Sequence, residues 1–143
     1  MEILNTLSIP RALATFPRKW LKANCLATDS VGDCVYVTGD TVGGFYQVAK
    51  ADPRDQLKMP SIGIITIKKS ATECRVQFIG EVANVYTGLI PRSTLFVGLT
   101  GRLTNIVPIP ASGGYAFVQA MGSSVSSTVV VMLPSLVLTK RIG

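Results

Sequence analysis

Glycine and proline punctuate the stretch from Gly80 to Pro108, GEVANVYTGLIPRSTLFVGLTGRLTNIVP, so closely that the chain here can only turn, run a short strand and turn again. Gly88, Pro91, Gly98 and Gly101 supply the turns, because glycine accepts positive φ while proline fixes φ and removes an N–H donor. Leu95 to Val97 and Leu103 to Val107 fill the spaces between them. Nothing in the stretch resembles a reaction centre. It reads as a scaffold that presents surfaces.

The same rhythm extends over most of the chain. Cys34 to Thr38 is rich in strand-favouring residues and lies between the turn signals Val31-Gly32-Asp33 and Gly39-Asp40. Phe45 to Ala49 follows Gly43-Gly44, and residues 50–60 form a polar loop ending at Pro60. Ile62 to Lys68 and Cys74 to Ile79 predict a hairpin, with Cys74, Val76 and Phe78 alternating against Arg75 and Gln77. Ala116 to Met121 and Thr128 to Leu133 are the last candidates, the latter apolar enough for a strand covered on both faces. Strands at roughly ten-residue spacing predict an all-β fold, a compact sandwich or barrel of short antiparallel strands. With 143 residues the expectation is one β domain over residues 23–133, an extended N-terminal arm over 1–22 and a tail over 134–143.

Charge narrows the reading further. Only 15% of residues are charged, against about 25% in an average soluble protein. From Leu103 to Thr139 there is no charged residue at all, where average usage would place roughly nine. A membrane span would need about 20 consecutive apolar residues, and Pro108, Pro110, Gly113, Gly114, Gly122 and the serines from Ser123 to Ser127 interrupt every run. No signal-peptide pattern follows Glu2, so the chain is expected to be soluble, with its C-terminal third buried in an assembly. The net charge of +6 has its main concentration in the arm, where Arg11, Arg18, Lys19 and Lys22 face only Glu2. Pro10 and Pro17 forbid one continuous helix there, leaving an extended arm with one helical turn near Arg11 to Thr15. Aromatic and arginine anchors recur at the energetic centres of interfaces, which selects Arg11, Phe16, Arg18, Lys19 and Trp20 as partner-binding candidates. Two other readings stand beside this one: a solvated basic tail, or Phe16 and Trp20 capping the domain's own core.

Chemistry finds little to work with. Without histidine there is no Ser-His or Cys-His nucleophile arrangement. Asp29, Asp33, Asp40, Asp52, Asp55, Glu73 and Glu81 mostly adjoin turn residues, where aspartate organises the backbone. Cys25, Cys34 and Cys74 lack C-x-x-C spacing and read as reduced, buried residues, so no metal site is expected. Gly39, Gly43 and Gly44 match no phosphate-binding pattern, no cofactor is implied, and two aromatics in the arm are few for stacking on nucleic acid. The chain is expected not to be an enzyme.

In order along the chain stand Gly32-Asp33, Val35-Tyr36-Val37-Thr38-Gly39, Val48-Ala49-Lys50-Ala51-Asp52 and Lys58-Met59-Pro60-Ser61-Ile62-Gly63. Tyr86-Thr87-Gly88-Leu89, Leu95-Phe96-Val97-Gly98, Gly101-Arg102-Leu103-Thr104, Val118-Gln119-Ala120-Met121-Gly122 and Thr128 to Met132 complete the set. Together they resemble the capsid cement (decoration) proteins of tailed bacteriophages, a family related to β-rich phage structural and fibre modules. The resemblance covers about residues 24–133 and leaves the arm without a counterpart. It implies a virion structural protein, made in the host cytoplasm, on the outer capsid surface. It also implies a symmetric oligomer, a homotrimer, bridging neighbouring major capsid proteins. The alternative is an attachment, neck or tail fibre module, or a receptor-binding β domain.

Overall fold

The computed structural model describes residues 19–143 and is almost wholly β. Five strands make a closed barrel: β1 (Trp20–Asn24), β2 (Cys34–Val42), β3 (Phe45–Lys50), β4 (Gly63–Lys68) and β5 (Glu73–Gln77), in the order β1-β3-β2-β4-β5. A second sheet has the order β6-β11-β10-β7-β8, from β6 (Gly80–Ala83), β7 (Ser93–Val97), β8 (Leu103–Thr104), β10 (Ala120–Ser124) and β11 (Val129–Met132). Strands β9 (Tyr115–Val118) and β12 (Thr139–Ile142) pair antiparallel as a separate ribbon. A single turn of 3-10 helix, Gln56–Lys58, interrupts the loop after β3, and Asp55 caps it by accepting the Leu57 N–H.

The expected hairpin over residues 62–79 is β4 and β5. Other expectations shift. The turn placed at Gly39-Asp40 lies instead at Gly43-Gly44, both at positive φ, and β2 continues past Gly39 through two register breaks to Val42. A bulge absorbs the glycine without ending the strand. The barrel is not wholly antiparallel, since β1 runs parallel to β3 while pairing antiparallel with β5. Strand β1 also takes Trp20, Leu21 and Lys22 into the barrel, inside the span expected as an arm. Strand β12 does the same for the tail. The helical turn expected near Arg11 to Thr15 lies outside the described residues.

Two apolar cores follow from these pairings. Ala23, Cys25, Val35, Val48, Ile65, Cys74 and Val76 fill the barrel. Cys34, Ala51, Met59 and Ile64 pack on the other side of its wall, with Leu95, Val97, Phe117, Met121, Val130 and Met132 of the remaining elements. Adjacent residues of a strand point to opposite faces, so Cys34/Val35 and Ile64/Ile65, all fully buried, place β2 and β4 between both cores. That explains why β4 reads GIITIK without alternation.

One amide joins the two halves. Gln119, in the break between β9 and β10, is fully buried. Its Oε1 accepts the Ser61 N–H at 2.8 Å, and its Nε2 donates to Ser61 C=O and Ser135 C=O, each at 2.7 Å. Tyr86 adds a second tie, its hydroxyl donating to Gly32 C=O and accepting the Leu103 N–H.

Candidate functional site

The root of the N-terminal segment sits on the barrel wall. Lys19 is exposed and its carbonyl accepts the Phe78 N–H at 3.0 Å, which fastens the chain just before β1 begins. Trp20 pairs with Gln77 and Lys22 with Arg75 across β1 and β5. These residues face outward, because Leu21, Ala23, Val76 and Cys74 take the inward positions. The Arg75 guanidinium lies 4.0 Å from the centre of the Trp20 ring, a stack of the kind that recurs at binding surfaces. The structure therefore places Trp20 on the barrel's outside, not in its core. Lys22 directly opposite Arg75 is a like-charge pair, unfavourable for the strands themselves. The result is a half-exposed aromatic stacked on Arg75, with Lys22 across from Arg75 in the strand register and Lys19 just before Trp20 in the chain.

Of the five candidates taken from sequence, Lys19 and Trp20 meet here, while Arg11, Phe16 and Arg18 lie outside the described residues. Arg75 was missed. It stands 55 positions from Trp20, and only the β1–β5 register brings them together. The alternation of Arg75 and Gln77 on a half-buried strand was the available signal.

At one end the barrel stays open. Leu21, Val37, Tyr46 and Phe78 continue the inward rows beyond the packed core and, with Ile62, line a cavity of about 370 Å³. Pro134 and Leu136 lie across its rim. Leu21 belongs both to this mouth and to the strand that carries Trp20.

Polar and nucleophilic groups are engaged elsewhere. Asp33 is buried and serves the backbone, accepting the Ser30 N–H at 2.8 Å, while its Oδ1 lies 3.4 Å from Arg102 Nη1 and 3.8 Å from Lys50 Nζ. All three cysteines are buried and unpaired. Burial pushes the Cys34 thiol far up, with Asp33 adding to it, and burial together with contact from Cys25 does the same for Cys74. Tyr86 is raised chiefly by burial as well. An acid raised on folding stays protonated in the native state while the unfolded chain ionises, so this stability is present below the unfolded pKa, about 8.5 for thiols, and declines above it. Urea midpoints should fall between pH 7.5 and pH 10 by about 0.5 M or more, and Ellman's reagent should react only after unfolding. Among the described residues no cluster of His, Cys, Asp or Glu is arranged to hold a metal ion, and no helix is long and apolar enough to cross a membrane.

The uncharged stretch stays on the surface in part. Ile106, Ile109, Leu133, Leu136 and Val137 are each more than 60% exposed. Strand β11, expected to be covered on both faces, alternates instead: Val130 and Met132 are buried and Val131 is exposed. No family model, curated protein or solved structure matches the chain.

Proposed function

We propose that this chain is a capsid cement protein of a tailed bacteriophage, a non-enzymatic β module that oligomerises as a symmetric trimer on the outer capsid surface. The observation that carries the reading is the apolar, uncharged surface of Ile106, Ile109, Leu133, Leu136 and Val137. Large apolar side chains left this exposed, on a protein with few charges, favour a surface that another protein covers. In the trimer, part of this area packs between subunits. The Trp20 face, with Arg75 stacked on the ring and Lys19 and Lys22 close by in the chain, then grips the neighbouring major capsid protein, and the basic residues Arg11 and Arg18 with Phe16 extend the grip. Three linked weak grips raise avidity by roughly 10²–10⁴ without any single strong contact.

The grip is tested by truncation. Removing residues 1–18 leaves β1 intact, whereas a deletion reaching residue 22 removes the strand that closes the barrel between β3 and β5. The shorter truncation is expected to keep the fold and the oligomer but to lose binding to expanded capsids, measured by co-sedimentation. Trp20→Ala should weaken binding at least tenfold, as loss of an aromatic anchor does. Undiminished binding by both variants would remove the grip from this face.

A further inference from the structure

The loop between β7 and β8 separates two grooves that share Leu99 and Thr100 as a common wall. The first, about 280 Å³, is lined by Lys50, Arg54 and Lys58 with a single carboxylate, Asp52. Two of these cations are held in place. Arg54 Nε donates to Asp52 Oδ1 at 3.2 Å and its Nη2 to Leu99 C=O at 3.4 Å. The Lys50 stem lies over Gly101, where a Cβ would come within 2.5 Å of Lys50 Cε, and its ammonium points toward Asp33. Burial alone would raise the Asp52 carboxyl, but the Arg54 backbone N–H and guanidinium outweigh it and hold it below its usual range. Asp55 is turned to the Leu57 N–H. Lys58 is exposed and, among the described residues, forms no ion pair, although its charge helps to lower the Asp52 carboxyl. The second groove, about 220 Å³, is apolar and includes Ile106, Val107 and Pro108. A carboxylate beside an apolar side chain would fill both.

This chain carries that pair. The far ends of β2 and β3 form a hairpin tip that touches little of its own subunit: Thr38 to Gly44 are exposed, and a Cβ at Gly39, Gly43 or Gly44 would meet open space. The tip displays Asp40, which has no ion-pair partner among the described residues, and Val42, 62% exposed, two positions on. Strand β3 leaves the tip at Phe45 and reaches the cationic groove at Lys50, so tip and groove lie at opposite ends of a ribbon about 20 Å long. A subunit cannot satisfy its own groove with its own tip, but a neighbour can.

We infer that the β2–β3 tip of one copy docks into the double groove of the next, Asp40 toward Lys58 and Arg54 and Val42 against the Leu99–Ile106 wall. Different patches meet at such a contact, so successive copies join head to tail and close a ring. The inference rests on the oligomeric part of the proposed function and is independent of the capsid.

The test is charge exchange at two exposed positions, read by analytical ultracentrifugation with circular dichroism confirming the fold. Asp40→Lys and Lys58→Glu should each lower association at least tenfold, because like charges brought together across an interface oppose docking. The D40K/K58E double variant should recover the wild-type assembly. An equimolar mixture of the two single variants should associate although neither does so alone, since each variant's tip then faces a groove of opposite charge on the other. If wild type and both single variants assemble equally, the tip-in-groove contact is wrong while the oligomer stands on another surface. A monomeric wild type overturns the contact and the oligomeric reading together.

Discussion

Gln119→Leu is expected to lower the free energy of unfolding by about 4 kcal/mol, because it strands both buried backbone groups of Ser61 and the half-buried Ser135 carbonyl, each costing roughly 1–3 kcal/mol when left unpaired. Leucine is close to glutamine in volume, so the loss isolates the amide's hydrogen bonds from any cavity. The Ser61 N–H can only donate and the Ser61 and Ser135 carbonyls can only accept, which fixes the amide's orientation. No backbone donor of a neighbouring strand replaces it, as Gln119 occupies the gap between β9 and β10. Gln119→Glu keeps the acceptor for Ser61 N–H but sets a buried carboxylate against the two carbonyls, and near neutral pH should be at least as destabilising as leucine. Urea unfolding followed by circular dichroism measures all three proteins. Near-equal midpoints for wild type and Gln119→Leu would mean that the apolar core alone holds the halves together.

The second large effect is at Gly122. Its φ of +140° is a conformation that side chains rarely adopt, and a Cβ there would sit 2.0 Å from the Val131 carbonyl oxygen. The position faces Met132 in the β10–β11 register and Leu95 across β10–β7, where the register shifts. Both neighbours belong to the second core, so neither strand can retreat without opening it. Gly122→Ala should therefore cost about 4 kcal/mol, at the upper end of single substitutions, or yield insoluble protein. Gly39→Ala, in open space at the hairpin tip, should stay within about 1 kcal/mol of wild type. Similar stabilities for the two alanine variants would show that β10 has more freedom than this packing allows.

Much of the architecture is written locally in the chain. The β4–β5 hairpin, the entry to β3 through Gly43-Gly44 and the all-β class follow from residue alternation and turn chemistry within short windows. Strand direction does not, since Ala23 and Asn24 of β1 pair parallel with β3 on one side and antiparallel with β5 on the other. Alternation likewise could not say whether Thr128 to Leu133 is covered by this chain or by another. The run is apolar throughout, yet Val131 and Leu133 face outward. The candidate site divides the same way. Trp20 and Lys19 were legible because aromatic and basic residues cluster in sequence, whereas Arg75 and the Lys50–Arg54–Lys58 groove depend on pairings and loop closure across distant segments.

The most direct test of the central claim combines light scattering on the purified protein with sedimentation against expanded capsids that lack it. The account predicts a species of three times the 15.2 kDa chain mass that co-sediments with the capsids and raises their disruption temperature. A stable oligomer that leaves the capsids untouched would contradict the cement function and favour a fibre or tail module. A monomer that ignores them would contradict the assembly itself, and with it the reason for so uncharged a surface.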